Sequence, residues 1–203
     1  MKIDEALKEL ESKKRNFEQT YDLIINLKNI DLSKPENKIK KEIVLPYGKG
    51  KSAAVCVISE KRGFTKEKIE AIGNNKKEAK KFAKSYDFFL ATPTLMPIIG
   101  KALGKYLAPK NKMPQPIPPN ASDEEIEKIV KMKERSVRFA LRSELNIQIP
   151  VGKEGMELEH IKSNIISAVK DVIASLPKGR AQIKNVMIKK TMTKPIKIDL
   201  DFI

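Results

Sequence analysis

Residues 45–58 read LPYGKGKSAAVCVI, and this stretch decides how the chain is divided into domains. Its tripeptide Gly50-Lys51-Ser52 matches the end of a nucleotide-binding loop, G-x-x-x-x-G-K-[ST], but Leu45 stands where the first glycine is required. Such a loop must also lead into a helix, because the helix N-terminus and the loop amides together hold the phosphates. Residues 53–58 are instead a short apolar run rich in β-branched side chains, which predicts a strand. A nucleotide-dependent enzyme built on this loop is therefore the minor alternative.

The sequence before this stretch combines one helix with strands. Residues 2–14 have apolar side chains at helical spacing. From Phe17 to Leu27 apolar and polar residues mostly alternate, which predicts a half-buried strand, although an isoleucine on the polar face leaves a helix possible. Residues 42–45 predict a second strand, which Pro46 ends.

The sequence after the stretch alternates between strands and helices. Strands are predicted at residues 53–59 and 86–91, and helices at residues 65–72, 76–84 and 94–107. This alternation predicts a small, mostly parallel sheet with helices on its faces. Residues 109–120 contain five prolines and predict a loop or extended strap without a regular element. Ser122 and Glu125 have the spacing of a capping box, which predicts the start of another helix.

The remainder of the chain returns to the mixed pattern of its beginning. Strands are predicted at residues 139–141, 146–151, 186–193 and 196–203, and a long helix at residues 157–176. We therefore predict a protein of two domains, one α+β and one α/β. Residues 1–50 and 135–203 form the α+β domain, and residues 51–134 are inserted into it as the α/β domain. The chain crosses between the domains near Gly48–Lys51 and near Lys133–Arg135.

The charge of the chain predicts a polyanionic partner. The 203 residues include 41 Lys and Arg against 26 Asp and Glu, a net charge of +15. Residues 1–50 carry 11 basic and 9 acidic residues, 51–134 carry 17 and 10, and 135–203 carry 13 and 7. Because the excess is spread over the last three-quarters of the chain, it indicates a folded basic surface rather than a basic tail. Nucleic acid or an anionic membrane surface is the expected partner.

Catalysis, metal binding and membrane insertion have little support in the sequence. His160 is the only histidine and Cys56 the only cysteine, so no zinc-binding set is predicted. We expect Cys56 to be a buried apolar residue and His160 a solvated helix residue. No window approaches the ~18 apolar residues of a membrane span, and the first residues lack a signal-peptide core. We expect a cytosolic protein without cofactor, metal or catalytic site.

Two clusters near the ends of the chain are candidate binding sites. Residues 13–17, KKRNF, combine cations with Phe17, and residues 189–194, KKTMTK, combine cations with hydroxyl groups and Met192. RNA is bound by such mixtures, in which lysines contact phosphates, hydroxyls contact ribose, and apolar side chains pack on bases. The alternative is a solvated strand end and an ordinary core phenylalanine. If both ends form one domain, the clusters can share one surface, which favours RNA binding.

Five short motifs along the whole chain resemble the L-one family of ribosomal proteins, and their residues are closer to those of its archaeal and eukaryotic members than to those of its bacterial members. They are Phe17-Glu18-Gln19-Thr20, Ile24-Ile25-Asn26-Leu27, Leu45-Pro46-x-Gly48-x-Gly50-Lys51, Ala91-Thr92-Pro93, and Thr191-Met192 before Lys194-Pro195. Their order and spacing make the resemblance specific, although each motif alone is weak.

The resemblance implies an RNA-binding domain formed by both termini, with a Rossmann-like domain inserted through a hinge. The hinge would lie at Gly48 and Gly50 on one crossing and at Lys133 and Glu134 on the other. The resemblance also implies binding of large-subunit ribosomal RNA at the mobile stalk, release of deacylated tRNA from the exit site, and repression of translation through the protein's own mRNA leader. We expect a monomer outside the ribosome.

The resemblance further implies the site residues. Phe17 and Thr20 would lie in one RNA-contacting strand, and Thr191 and Met192 in another. Lys189, Lys190 and Lys194 would attract phosphates. The alternative to ribosomal RNA as main target is a dedicated mRNA-binding repressor, which the same surface would serve.

The sequence departs from the family pattern at two positions. Thr193 stands where glycine is usual, and a β-branched residue tolerates positive φ poorly. Either the local conformation does not require glycine, or RNA affinity is lower. Asn16 replaces the lysine that bacterial members tend to carry before the phenylalanine, and Arg15 is the available substitute.

Overall fold

The computed structural model describes residues 1–13, 15–34, 37–118, 121–141 and 144–199. The chain divides into two compact units. Unit 1 consists of Met1–Ser52 and Arg135–Ile203, and unit 2 of Ala53–Glu134. Among the described residues, no helix is both long and apolar enough to cross a membrane.

The helices and strands are numbered along the chain. The helices are α1 (Ile3–Glu11), α2 (Lys66–Asn74), α3 (Lys76–Ser85), α4 (Met96–Leu107), α5 (Asp123–Glu134) and α6 (Leu158–Ser175). The strands are β1 (Thr20–Leu27), β2 (Lys40–Val44), β3 (Val55–Ile58), β4 (Phe88–Ala91), β5 (Gln115–Pro116), β6 (Ser136–Ala140), β7 (Asn146–Lys153), β8 (Ile183–Lys190) and β9 (Ile196–Ile198). This mixture of helices and sheets confirms the predicted α/β character of the chain.

Unit 1 is built on an antiparallel sheet in the order β7-β1-β8-β9. The apolar positions of β1 are buried and the residues between them are half-buried, so the predicted alternation is confirmed. Leu23 lies opposite Ile149 of β7 and Ile188 of β8. The buried faces of α1 and α6 pack in the same core as these strands. The central position of β1 therefore places the start of the chain between two strands from its last third.

A second, two-stranded sheet in unit 1 pairs β2 with β6 in antiparallel orientation. Arg138 Nε donates to Glu42 Oε1 at 2.9 Å across this pair. The pairing continues past the strands, because the Leu45 amide donates to the Arg135 carbonyl at 3.1 Å. The two connections to unit 2 therefore leave unit 1 from adjacent positions.

Unit 2 contains a parallel sheet in the order β3-β4-β5, with apolar residues buried on both of its faces. Phe89 packs on one face with Ile99 of α4, and Leu90 packs on the other with Ile117. Cys56 is buried in the first of these clusters, and burial raises the pKa of its thiol to about 11. The predicted buried, apolar role of this cysteine is confirmed.

The proline-rich stretch contains a regular element, so the prediction of none was wrong. Gln115 and Pro116 form β5 beside Leu90 and Ala91. A proline is tolerated there because an edge strand needs to donate on one side only, and Ile117 supplies the next bond to the Ala91 carbonyl at 2.9 Å. Residues 119 and 120 lie outside the described residues.

The capping box at the start of α5 is confirmed. The Ser122 amide donates to Glu125 Oε2 at 3.0 Å, and the Glu125 amide donates to Ser122 Oγ at 3.3 Å. These two bonds satisfy amides that the first helical turn leaves without intrahelical partners.

Candidate nucleic-acid interface

The two clusters predicted from the ends of the chain meet where β1 begins and β8 ends. The Thr191 amide donates to the Thr20 carbonyl at 3.1 Å, and the Thr20 amide donates to Thr191 Oγ1 at 3.1 Å. One position inward, Tyr21 lies opposite Lys190 in the antiparallel pair. Residues far apart in sequence therefore share one edge of unit 1, which we call the β1–β8 edge and define by Phe17–Thr20 and Lys189–Lys194.

The strand assignments of three edge residues were wrong. Phe17 lies in a bend before β1, and Thr191 and Met192 lie in a turn after β8. The turn is closed by the Thr193 amide, which donates to the Lys190 carbonyl at 3.0 Å. Thr20 begins β1, as predicted.

Phe17 and Met192 are exposed, so the alternative of an ordinary core phenylalanine was wrong. Half of the surface of Phe17 and 62% of that of Met192 is accessible to solvent. Complete burial of a side chain of this size is worth about 1.5–3 kcal/mol, and these two residues forgo part of it in the free protein. Large exposed apolar side chains beside cations are typical of binding surfaces rather than of a solvated strand end.

Lys190 is buried, so its predicted role in attracting phosphates was wrong. Its side chain has no accessible surface, and Nζ donates to Glu154 Oε1 at 2.8 Å. The same ammonium lies 3.5 Å from the carbonyl oxygens of Glu11 and Lys13, and above the ring of Tyr21. The alternation of β8 explains this position, because residue 190 follows the buried residues 186 and 188 on the inward face.

Glu154 holds the edge together, and no sequence motif marked it. Its Oε2 accepts from the Gln19 amide at 3.2 Å, and its own amide donates to the Gln19 carbonyl at 2.8 Å. The Lys190 ammonium and the Gln19 amide, both donating to the carboxylate, lower the pKa of Glu154. Glu154 thereby links the stretch before β1 to the end of β8 and fixes the backbone that carries Phe17.

Thr193 does not require the backbone freedom of glycine. Among the described residues, the non-glycine residues with positive φ are Asn29 and Asn111, and Thr193 is not one of them. Its Oγ1 accepts from the Lys190 amide at 2.9 Å and lies 3.2 Å from the Lys190 carbonyl. Of the two alternatives, the structure supports the one in which the local conformation accommodates threonine, whose side chain helps to close the turn.

Exposed or half-exposed cations surround the edge. Lys194 and Arg15 are exposed, and Lys189 is half-buried with Nζ 3.4 Å from the Thr191 carbonyl. Lys153 lies opposite Thr20 in the β1–β7 pair and forms an ion pair with Glu18. No local sequence pattern marks Lys153, because only the strand register brings it to this edge. Lys14 lies outside the described residues.

The loop at residues 45–51 has two glycines with positive φ. Gly48 and Gly50 have φ of +65° and +81°, a region that glycine adopts readily and other residues rarely. A Cβ at Gly50 would also lie 2.9 Å from both Lys153 Cβ and Met156 Sδ. The loop leads into strand β3 rather than a helix, so the alternative of a nucleotide-binding loop was wrong. Lys133 and Glu134, predicted at the second crossing, end helix α5.

The chain is thus a basic, two-unit α/β protein whose candidate site is a surface of exposed apolar, hydroxyl and cationic groups. Within the described parts of the chain, no group of three or more His, Cys, Asp or Glu could hold a metal ion. His160 does not face a metal-ligand set; its ring stacks on that of Tyr47.

The chain belongs to the ribosomal protein L1p/L10e family, whose sequence model matches residues 7–194. It is therefore a member of a family of structural ribosomal proteins and not an enzyme.

Its relatives include archaeal proteins named large ribosomal subunit protein uL1. The protein of Pyrococcus abyssi is 41% identical over 97% of this chain and 95% of its own length. That of Thermococcus kodakarensis is 39% identical over 98% and 97% of the two chains. That of Methanococcus voltae is 42% identical over 95% of each chain.

Proposed function

We propose that this protein is a constituent of the large ribosomal subunit and binds ribosomal RNA at the mobile stalk through the β1–β8 edge. The names of its relatives support the subunit. The direct contact between Thr20 and Thr191 carries the proposal for the edge, because it unites the two clusters whose composition suits RNA. The net charge of +15 supports a polyanion as the ligand.

In this mechanism, different side chains of the β1–β8 edge and its surroundings contact the phosphates, the riboses and the bases. Lys189, Lys194 and Lys153 attract phosphates, while Thr20 and Thr191 exchange hydrogen bonds with ribose or phosphate oxygens. Lys190 does not contact RNA in this mechanism, because its buried ammonium is paired with Glu154. It acts as a positioning residue that holds the stretch before β1 against the end of β8. A second set of side chains, Phe17, Met192 and Thr193, lies against bases and sugars and excludes water from the contact.

We also propose that the two units are functional domains. Residues 1–50 and 135–203 form the discontinuous RNA-binding domain, and residues 51–134 form an inserted Rossmann-like domain. The parallel sheet of unit 2 supports the second description. Gly48 and Gly50 on one connection, with Lys133 and Glu134 on the other, act as the hinge.

The same RNA-binding edge would serve further roles in the cytoplasm. On the ribosome, movement of the stalk with this protein would assist release of deacylated tRNA from the exit site. Off the ribosome, the protein would bind its own mRNA leader as a monomer and repress its translation. Competition between ribosomal RNA and mRNA leader fragments for the purified protein ranks the two targets and tests the alternative of a dedicated repressor.

The proposal is tested by titrating the full-length protein with the stalk fragment of large-subunit ribosomal RNA at several salt concentrations. We expect log affinity to fall linearly with log salt, with a slope of about −0.7 to −0.9 for each phosphate neutralised. Phe17→Ala and Met192→Ala should each weaken binding by roughly 1–3 kcal/mol if the side chains pack on bases. Met132→Ala is the matched control, because Met132 is 56% exposed but belongs to unit 2.

Two results would contradict the proposal. An affinity that does not change with salt would exclude the phosphate contacts. An equal effect of Met132→Ala and Met192→Ala on RNA affinity would exclude the β1–β8 edge as the binding site.

A further inference from the structure

A stacked pair of aromatic rings lies outside the β1–β8 edge but within the same unit. The rings of Tyr47 and His160 have centroids 3.9 Å apart and an interplanar angle of 16°. Half of the surface of Tyr47 is nonetheless exposed. The imidazole covers one face of the phenol ring, and the residue is still half exposed. Tyr47 is part of the LPYGKGK stretch, whose function the β1–β8 edge does not explain.

The stack is held in place by a buried asparagine. Asn164 and His160 lie one turn apart on α6, and therefore on one face of that helix. Asn164 Nδ2 donates to the Gly48 carbonyl at 2.7 Å, and the Tyr47 amide donates to Asn164 Oδ1 at 3.1 Å. The imidazole is held in turn by Glu157, whose Oε2 lies 3.4 Å from His160 Nε2. The backbone that carries Tyr47 is thus held in place before any ligand arrives, which lowers the entropic cost of binding.

The loop that carries Tyr47 is basic, although the carboxylate of Glu157 lies beside His160. Lys49 and the exposed Lys51 follow Tyr47 in the same loop. The loop reaches the edge through Gly50, which packs so closely on Lys153 that it has no room for a side chain. Lys153 is in turn the neighbour of Thr20 across the β1–β7 pair. Contacts through Lys153 and Gly50 therefore connect the β1–β8 edge to the loop that carries the exposed Tyr47.

We propose that the Tyr47–His160 stack is a second RNA-binding site, which takes one unpaired base of the RNA bound at the β1–β8 edge. The base lies on the open face of Tyr47, and Lys49 and Lys51 contact the adjacent phosphates. Stacking accepts any base, because every base has a π-face, so the site selects single-stranded nucleotides rather than a sequence. A single ring among lysines favours RNA over a protein partner, which needs a larger apolar patch. This proposal rests on the proposed function and extends its binding surface.

The chain contains no tryptophan, which permits a direct test. Tyr47→Trp introduces the only indole, and we expect its fluorescence to be quenched as the ribosomal RNA stalk fragment binds. The midpoint of the quenching titration should equal the midpoint of the binding titration. In an otherwise wild-type chain, Tyr47→Ala should lower the affinity about 5- to 100-fold, whereas Tyr47→Phe should preserve it. Tyr106→Trp, in unit 2, is the control for non-specific quenching.

The outcomes separate this proposal from the proposed function. The second site is overturned if Tyr47→Ala changes the affinity less than twofold and the fluorescence of Tyr47→Trp is not quenched. The proposed function still stands in that case, provided that Phe17→Ala binds the fragment more weakly than the wild-type protein does. If the wild-type protein does not bind the fragment, both are overturned. Should Tyr47→Ala unfold the loop, the quenching of Tyr47→Trp still decides, since it retains an aromatic ring.

Discussion

The strand ends of the two units bring together different groups. In unit 1, the ends of β1 and β8 carry exposed Phe17 and Met192 near the ion pair of buried Lys190 and half-buried Glu154. In unit 2, the carboxyl ends of the parallel strands border a cavity of about 220 Å³, in the position where α/β sheets usually bind ligands. Among the described residues, its lining mixes hydroxyl, apolar and charged side chains, Thr92 among them, and has no counterpart of the exposed aromatic ring in unit 1. The β1–β8 edge is therefore the candidate site because of its side chains, although ligands of α/β folds more often bind at the position of the unit 2 cavity.

The difference also concerns stability. The core of unit 2 is apolar on both faces of its sheet, whereas unit 1 buries a full charge next to its exposed apolar side chains. A buried charge is tolerated only while it is paired and hydrogen-bonded. The β1–β8 edge should therefore be more sensitive to substitution than the corresponding region of unit 2, which the following predictions test.

The largest effect is expected from Lys190→Met. The substitution leaves the Glu154 carboxylate without its partner and should lower the free energy of unfolding of unit 1 by about 2–3 kcal/mol. This is less than the ~3–5 kcal/mol of a fully buried pair, because 23% of the Glu154 side chain is exposed. Lys189→Met is the matched control, since the neighbouring lysine is half-buried, and should cost under ~0.5 kcal/mol. Urea unfolding followed by circular dichroism measures both, and equal losses would contradict the structural role of Lys190.

A smaller effect is expected from Gly50→Ala. The new Cβ would combine positive φ with contacts of 2.9 Å to Lys153 and Met156, so we expect a loss of about 1–3 kcal/mol. Gly63→Ala in unit 2 has similar φ, +76°, but nothing within 4 Å, and should cost only the backbone strain of ~1 kcal/mol. Melting temperatures of the two variants separate the clash from the strain. If Gly63→Ala is the more damaging, the close packing of the loop on β7 is wrong.

A pH-dependent effect is expected from Glu154. Because its pKa is lowered in the folded protein, the stabilisation is complete above its ordinary pKa of 4.5 and is lost as the pH falls towards the folded value. Glu154→Gln should therefore make the loss of stability below pH 4.5 shallower than in the wild type. Unfolding free energies measured between neutral and acidic pH provide the comparison, and parallel curves would exclude this contribution.

The smallest effect is expected from Thr193→Gly. The variant loses the hydrogen bonds of Oγ1 to the Lys190 backbone and gains flexibility, so stability should fall by about 0.5–1.5 kcal/mol. Affinity for the ribosomal RNA fragment should fall up to about fourfold, because the Thr193 methyl group, worth about 0.8 kcal/mol when buried, no longer packs against the RNA. A tenfold gain in affinity would mean that the threonine side chain obstructs the RNA.

Local patterns in the sequence predicted the features that depend on near neighbours. The alternation of β1 and the capping box of Ser122 and Glu125 each depend on a few residues that are adjacent in sequence, and both were confirmed. The strand at Pro116 was missed because an edge position, which only the assembled sheet defines, makes proline acceptable there.

The candidate site was only partly predictable, because its interactions cross the chain. The burial of Lys190 follows from the alternation of β8, but its partner Glu154 lies 36 residues earlier and is fixed by the pairing of β7 with β1. Phe17 is exposed because it precedes β1 and so escapes the alternation that buries Tyr21. The composition of the chain ends predicted the two clusters, the resemblance to a family assigned roles to their residues, and only strand register showed the contacts between them.

The position of β1 between β7 and β8 has a consequence for biosynthesis. β1 leaves the translating ribosome early, but neither of its neighbours in the sheet exists until most of the polypeptide has been made. Residues 53–134 are contiguous and can fold while β1 still has two unpaired edges, which are prone to aggregation. A nascent or prematurely terminated product that lacks β8 would be without the Thr20–Thr191 contact, so under the proposed function only products that extend past residue 191 would capture RNA.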